Sequence, residues 1–129
     1  MHRIIYISTA ADGLTDAGVA DIVATAERDN PINQLTGFLL YNQRNFLQML
    51  EGPRDRIASL MRRIISDERH HGIVMMVDEE IAARSCADWQ MRWIRLSLDM
   101  GRRSEELQTS LPVLSPGATQ IVRNFALLN

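Results

Sequence analysis

The chain has 129 residues, is 46% hydrophobic and carries a formal net charge of −2, which suits one domain with a single core and excludes an intrinsically disordered chain. Its apolar runs last only a few residues and no charged segment followed by an apolar stretch opens it, so neither a membrane span nor an export signal is read and a cytoplasmic location is expected. All fourteen basic residues are arginine and are spread along the sequence; a nucleic-acid surface needs them clustered, so no nucleic-acid partner is expected. The lone Cys86 has neither a disulfide partner nor a zinc-ligand spacing around it, and adjacent His70 and His71 lack the companions a metal requires, so no metal is expected.

In chain order, Arg3–Ser8 alternates Ile4, Tyr6 and Ser8 against Ile5 and Ile7, the period of a strand. Asp12-Gly13 breaks it. Thr15 is placed to cap a helix that runs to about Arg28, with Leu14 stapling onto Val19 and an inward stripe of Val19, Ile22, Val23 and Ala26. Asn30 precedes Pro31, where the chain is biased out of the helix and the asparagine caps an exit facing the sheet.

Leu35–Tyr41 and Asn45–Leu50 read as two strands joined by the turn Asn42-Gln43-Arg44. Gly52-Pro53 opens a second helix, whose stripe of Ile57, Leu60, Met61, Ile64 and Ile65 is the clearest in the chain and which should end near Asp67 to His70. A fourth strand is expected at Ile73–Val77 and a fifth at Trp89–Ile94. Helical pieces follow at Arg103–Leu111 and Gly117–Leu128, interrupted by Pro112 and Pro116. The order β-α-β-β-α-β-β gives an α+β, ferredoxin-like sheet with two helices on one face, plus a C-terminal helical extension. Residues 1–98 form the expected main unit and 99–129 the extension, which packs on the sheet or in an oligomer interface. Leu107, Leu111, Ile121, Val122, Phe125 and Leu128 offer it more apolar surface than two short helices hide from each other, which points to self-association.

Gln48 stands out within the third strand, Phe46-Leu47-Gln48-Met49-Leu50. Successive strand side chains take opposite faces, so Phe46, Gln48 and Leu50 share one face and Gln48 should be half buried. A buried carboxamide left unpaired costs about 1–3 kcal/mol, so a polar group should meet it.

Five motifs in order then carry a family resemblance: Tyr6-Ile-Ser8; Asn30 ahead of Leu35-Thr36-Gly37; Phe46-Leu-Gln48-x-Leu-Glu51-Gly52; Asp67-Glu-Arg69-His70; and Trp89-Gln-Met91. Over about residues 2–98 the chain resembles the BLUF domain, a blue-light sensor that uses flavin, and its length and tail are similar to stand-alone members without an effector domain. The resemblance implies a photoreceptor that is not an enzyme, binds flavin non-covalently between the two helices, as FAD with FMN or riboflavin as the alternatives, and signals to a protein partner or within a homo-oligomer. It implies that Tyr6, Gln48, Ser8, Trp89 and Met91 form the photoactive switch. Tyr6 would supply an electron and proton through Gln48, which is left rotated or tautomerised. It implies that Asn30, Arg63, Ile64, Asp67, Arg69 and His70 hold the cofactor; Asp29 departs from the His or Asn common at its position. A flavin edge alternates acceptor, donor and acceptor, which suits carboxamides such as Asn30 and Gln48. The competing reading is a flavin-free ferredoxin-like interaction module, with a small hydrolase a weaker third. The colour of the purified protein separates the first two.

Overall fold

The computed structural model describes residues 1–128, apart from the side chain of Leu128. Its elements are β1 (His2–Ala10), α1 (Asp16–Asp29), β2 (Thr36–Tyr41), β3 (Asn45–Gly52), α2 (Arg54–Ile65), β4 (His70–Glu80), β5 (Arg92–Arg95), α3 (Met100–Ser110) and α4 (Pro116–Leu128). The five strands lie in the order β4-β1-β3-β2-β5. β1 is antiparallel to both β3 and β4, β2 is antiparallel to β3, and β5 joins the far edge parallel to β2. This is the expected ferredoxin-like sheet with one strand added.

The two faces follow the alternation in the sequence. Ile4, Tyr6, Leu39, Tyr41, Phe46 and Leu50 turn to one side, where Val19 and Val23 of α1 and Ile57 and Met61 of α2 cover them. Ile5, Phe38, Leu40, Leu47 and Met49 turn to the other, where Ala118, Val122 and Phe125 of α4 close a second core. Thr15 caps α1 as expected, its hydroxyl accepting from Gly18 N at 3.2 Å.

Apart from shifts of one or two residues elsewhere, four boundaries differ from the sequence reading. β4 is eleven residues long rather than five, because the polar residues flanking its apolar centre also enter the ladder: His70 pairs with Ala10 and Glu80 with His2. The second helix stops at Ile65, with Ser66 as C-cap, so Asp67–Arg69 belongs to the connection and His70 to β4. β5 starts only at Arg92, since Cys86–Trp89 is folded into a turn closed by Trp89 N to Cys86 O at 2.9 Å. α3 begins at Met100, where Asp99 caps it by accepting from Gly101 N.

Gly37 holds β2 and β3 in close approach. A Cβ there would lie 1.9 Å from Met49 O, and its N–H donates to Trp89 O at 2.9 Å.

Candidate functional site

α1 and α2 flank an opening over the sheet. Between them lies a cleft of about 240 Å³ whose floor is Tyr6 of β1, Leu39 of β2 and Phe46 and Gln48 of β3. Ile22 and Ala26 line it from α1, Leu60, Arg63 and Ile64 from α2, and Asn30, Asp67, Arg69 and His70 at its ends. Apart from Thr25 and Arg63 the walls are apolar, and the ends are polar.

Tyr6 and Gln48 face each other across the β1–β3 ladder, both buried, and the Tyr6 hydroxyl donates to Gln48 Oε1. Burial, and secondarily the negative charge of Asp67, push the Tyr6 pKa well above the ordinary phenol value, so the group is a neutral O–H donor. The Gln48 oxygen thus faces Tyr6 and its nitrogen faces Met91, whose Sδ lies 3.7 Å from Nε2. Gln48, 6% exposed, is buried rather than half buried.

Asn30 is also buried, with Nδ2 donating to Gln90 O at 2.7 Å and the backbone carbonyl accepting from Leu35 N. His70 bridges two elements. Ile64 O, 2.6 Å from Nε2, can only accept, so Nε2 carries the proton and Nδ1 accepts from Ser8 Oγ at 2.8 Å. Asp67 pairs with Arg69 through Nε at 2.9 Å and Nη2 at 2.6 Å, and these hydrogen bonds hold its carboxyl below the usual range. Arg63 makes no ion pair among the described residues, leaving its guanidinium at the cleft.

Of the sequence-derived residues, Tyr6, Gln48, Asn30, Arg63, Ile64, Asp67, Arg69 and His70 line the cleft. Ser8 reaches it through His70, and Met91 touches Gln48 from outside. Trp89 is not brought to the Tyr6–Gln48 pair. The turn before β5 sends its ring to the opposite face, edge-on to Phe38 and under the Arg92 guanidinium. The stripe residues Ile22, Ala26 and Leu60 were read as core, and the cleft uses them as walls; helical spacing alone does not separate the two uses. The Gln90 carbonyl, a backbone group, left no signal in the sequence.

The family model for sensors of blue-light using FAD, BLUF, matches residues 1–92. The chain belongs to the BLUF family. BLUF domains bind flavin and sense blue light, and this chain is such a sensor. It is 33% identical to the photoactivated adenylate cyclase subunit alpha-like protein FB of Euglena gracilis over 95% of its own length and 11% of that protein. It therefore spans about a tenth of that relative. Its fold is similar to the dark-state structure of the BLUF protein BlrB, with a TM-score of 0.73, 29% identity and 98% of this chain against 90% of that one. It also resembles Klebsiella pneumoniae BlrP1 with FMN and cyclic diGMP, with a TM-score of 0.83, 28% identity and 97% of this chain against 34% of that one.

The residues of this BLUF chain fit a flavin. Among the described residues Gln48 Nε2 meets only the Met91 thioether, a weak acceptor, although the amide is buried. Asn30 Nδ2 is held by Gln90, which leaves Oδ1 for a ligand. Mainly apolar walls with one carboxamide in the floor and another at an end suit a flat ring with a polar edge.

Proposed function

We propose that this BLUF domain is a hydrogen-bond switch in which Tyr6 is the electron and proton donor and Gln48 the group that rearranges. The observation that carries this is the buried contact between the Tyr6 hydroxyl and Gln48 Oε1 in the floor of the cleft. The flavin, when bound, supplies absorption of blue light and an excited ring that accepts an electron and a proton. Asn30 and Arg63 bind its polar edge, Ile64 packs on its plane, and Asp67, Arg69 and His70 border its far side.

Tyr6 keeps its proton in the dark because its ionised form would be buried beside Asp67. On illumination it gives that proton to Gln48 Oε1, and Gln48 carries a proton outward on Nε2. When the electron and the proton return to Tyr6, Gln48 is left rotated or tautomerised, and the weak Met91 contact favours neither end state strongly. The hydrogen bond gained is worth about 0.5–1.5 kcal/mol, enough to bias a near-balanced conformational pair. Ser8 acts behind His70, fixing its ring and hence the end of the cleft.

The cofactor is FAD, in keeping with the family's description; the mass of the released flavin distinguishes it from FMN and riboflavin. The domain turns over no substrate. Residues 1–98 sense and residues 99–129 cover the sheet, and the output is a changed contact with a cytoplasmic protein or between copies of the chain. Support for self-association comes less from the tail than the sequence suggested, since Leu107, Val122 and Phe125 are buried within the chain. It comes from the edge strand β4, where Val74, Met75 and Met76 stand 51%, 43% and 42% exposed. Among the described residues no helix is long and apolar enough to cross a membrane.

Absorption spectra in the dark and under blue light test the reading. A yellow protein with a reversible red shift of the flavin band supports it, and a flavin-loaded protein without any shift refutes the switch.

A further inference from the structure

A second polar cluster is buried at the end of β3, three residues beyond Gln48. Glu51 is 0% exposed, and its carboxylate accepts from Thr36 Oγ1 at 3.1 Å, Ser85 N at 3.0 Å and Cys86 N at 2.6 Å, with Arg3 Nη2 3.6 Å away. Arg84 reinforces the cluster from the side, donating to Thr36 Oγ1 at 2.7 Å and to the Glu51 carbonyl at 3.0 Å. A buried carboxylate is costly unless every lone pair is used, and here two of its partners are backbone N–H groups of the irregular segment 81–91.

That segment carries the outer contacts of the switch. From Cys86 the chain turns through Cys86 O to Trp89 N, is pinned by Trp89 O to Gly37 N, holds Asn30 through Gln90 O, and ends with Met91 against Gln48. Met91 is 3% exposed, so it walls the Gln48 amide on the side away from Tyr6.

We propose that Glu51 is a positioning residue of the photoswitch: by clamping Ser85 and Cys86 it fixes Met91 against Gln48 and so sets how long the rearranged glutamine persists. A fixed wall raises the barrier to Gln48 reorientation in both directions, so a loosened clamp shortens the lifetime of the light-adapted form. The proposal rests on the switch role given to Gln48.

The test uses the full flavin-loaded chain and its single cysteine. Cys86 is buried in the clamped segment, its thiol pushed up to about 12 by burial and the Glu51 charge, and so inert unless the segment opens. In E51Q an NH₂ replaces one carboxylate oxygen, in a site whose partners are nearly all donors. The variant should keep its flavin and its red shift, return to the dark form roughly tenfold faster and react at Cys86 with an aromatic disulfide reagent in the dark roughly tenfold faster, as befits a lost hydrogen bond to a charged group. A lower melting temperature with both rates unchanged would overturn the proposal and make Glu51 purely structural. So would faster Cys86 labelling with unchanged recovery in both E51Q and Arg84→Gln, since the segment would then be loosened without affecting Gln48. If E51Q does not fold, Arg84→Gln, at a partly exposed position, should raise both rates by less, and unchanged rates there would equally overturn it. Because loss of the Glu51 charge also makes the Cys86 thiol more acidic, faster labelling counts as opening of the clamp only where Arg84→Gln, which keeps that charge, shows it too, whereas absence of any light-induced shift in the wild-type protein refutes the switch role of Gln48.

Discussion

Tyr6 and Gln48 are direct partners in the β1–β3 ladder, and the hydroxyl of one donates to the side-chain oxygen of the other beneath the two helices. The pair is set by register, so Tyr6→Phe preserves the ring's volume and removes only the proton donor. The variant should stay folded and yellow but show no red shift under blue light. Because the Tyr6 pKa is raised, the folded chain holds this proton where an unfolded tyrosine, at its ordinary 10.0, begins to lose it. The resulting stability is fully present below pH 10 and falls as pH rises above it. Chemical denaturation in alkaline buffer should therefore give a shallower loss for Tyr6→Phe than for wild type.

Asn30 and Arg63 should matter chiefly for holding flavin. Replacing either with Ala leaves polar groups of the bound ring unpaired, at about 1–3 kcal/mol, or roughly five- to 150-fold in affinity. Flavin titration of the apoprotein measures this. Wild-type affinity in both variants would remove the assignment.

The sheet and its two helices were legible because Ile4/Tyr6 against Ile5/Ile7, and the α2 stripe, repeat at the periods their elements demand. The full length of β4 was not, since His70 reads as the end of the second helix and His71, Asp78, Glu79 and Glu80 as polar flanks, and all are held in place by pairing with β1. The family resemblance placed Trp89 and Met91 together at the switch; the turn at Cys86–Trp89 separates them, Met91 going to Gln48 and Trp89 to Phe38. Glu51 was visible only as part of a motif. Its partners Ser85 and Cys86 are brought to it by tertiary structure, and they bond through backbone N–H groups that carry no residue signature.

Gly37→Ala tests the close approach of β2 and β3. With Met49 O 1.9 Å from the new Cβ the backbone must move, and the expected loss exceeds about 3 kcal/mol of folding stability. Denaturant unfolding is the measurement, and a loss under about 1 kcal/mol would mean that the strands separate there without strain.

The exposed apolar centre of β4 should mediate association between copies. Met75→Lys places a charge on that edge, a common device against edge pairing, so it should lower the apparent mass by light scattering while leaving flavin binding intact. A wild-type chain that is already monomeric at micromolar concentration and above would count against self-association altogether.

The most direct test of the switch is the difference spectrum of Gln48→Leu between dark and blue light. Leucine approximates the size of glutamine and deletes both the acceptor for Tyr6 and the Nε2 donor. The expected result is a folded, yellow protein whose flavin band does not shift under blue light, beside a wild type that shifts to the red and recovers in the dark. A reversible, wild-type red shift in Gln48→Leu would contradict the account, because an aliphatic side chain can neither relay a proton nor offer a hydrogen-bond donor.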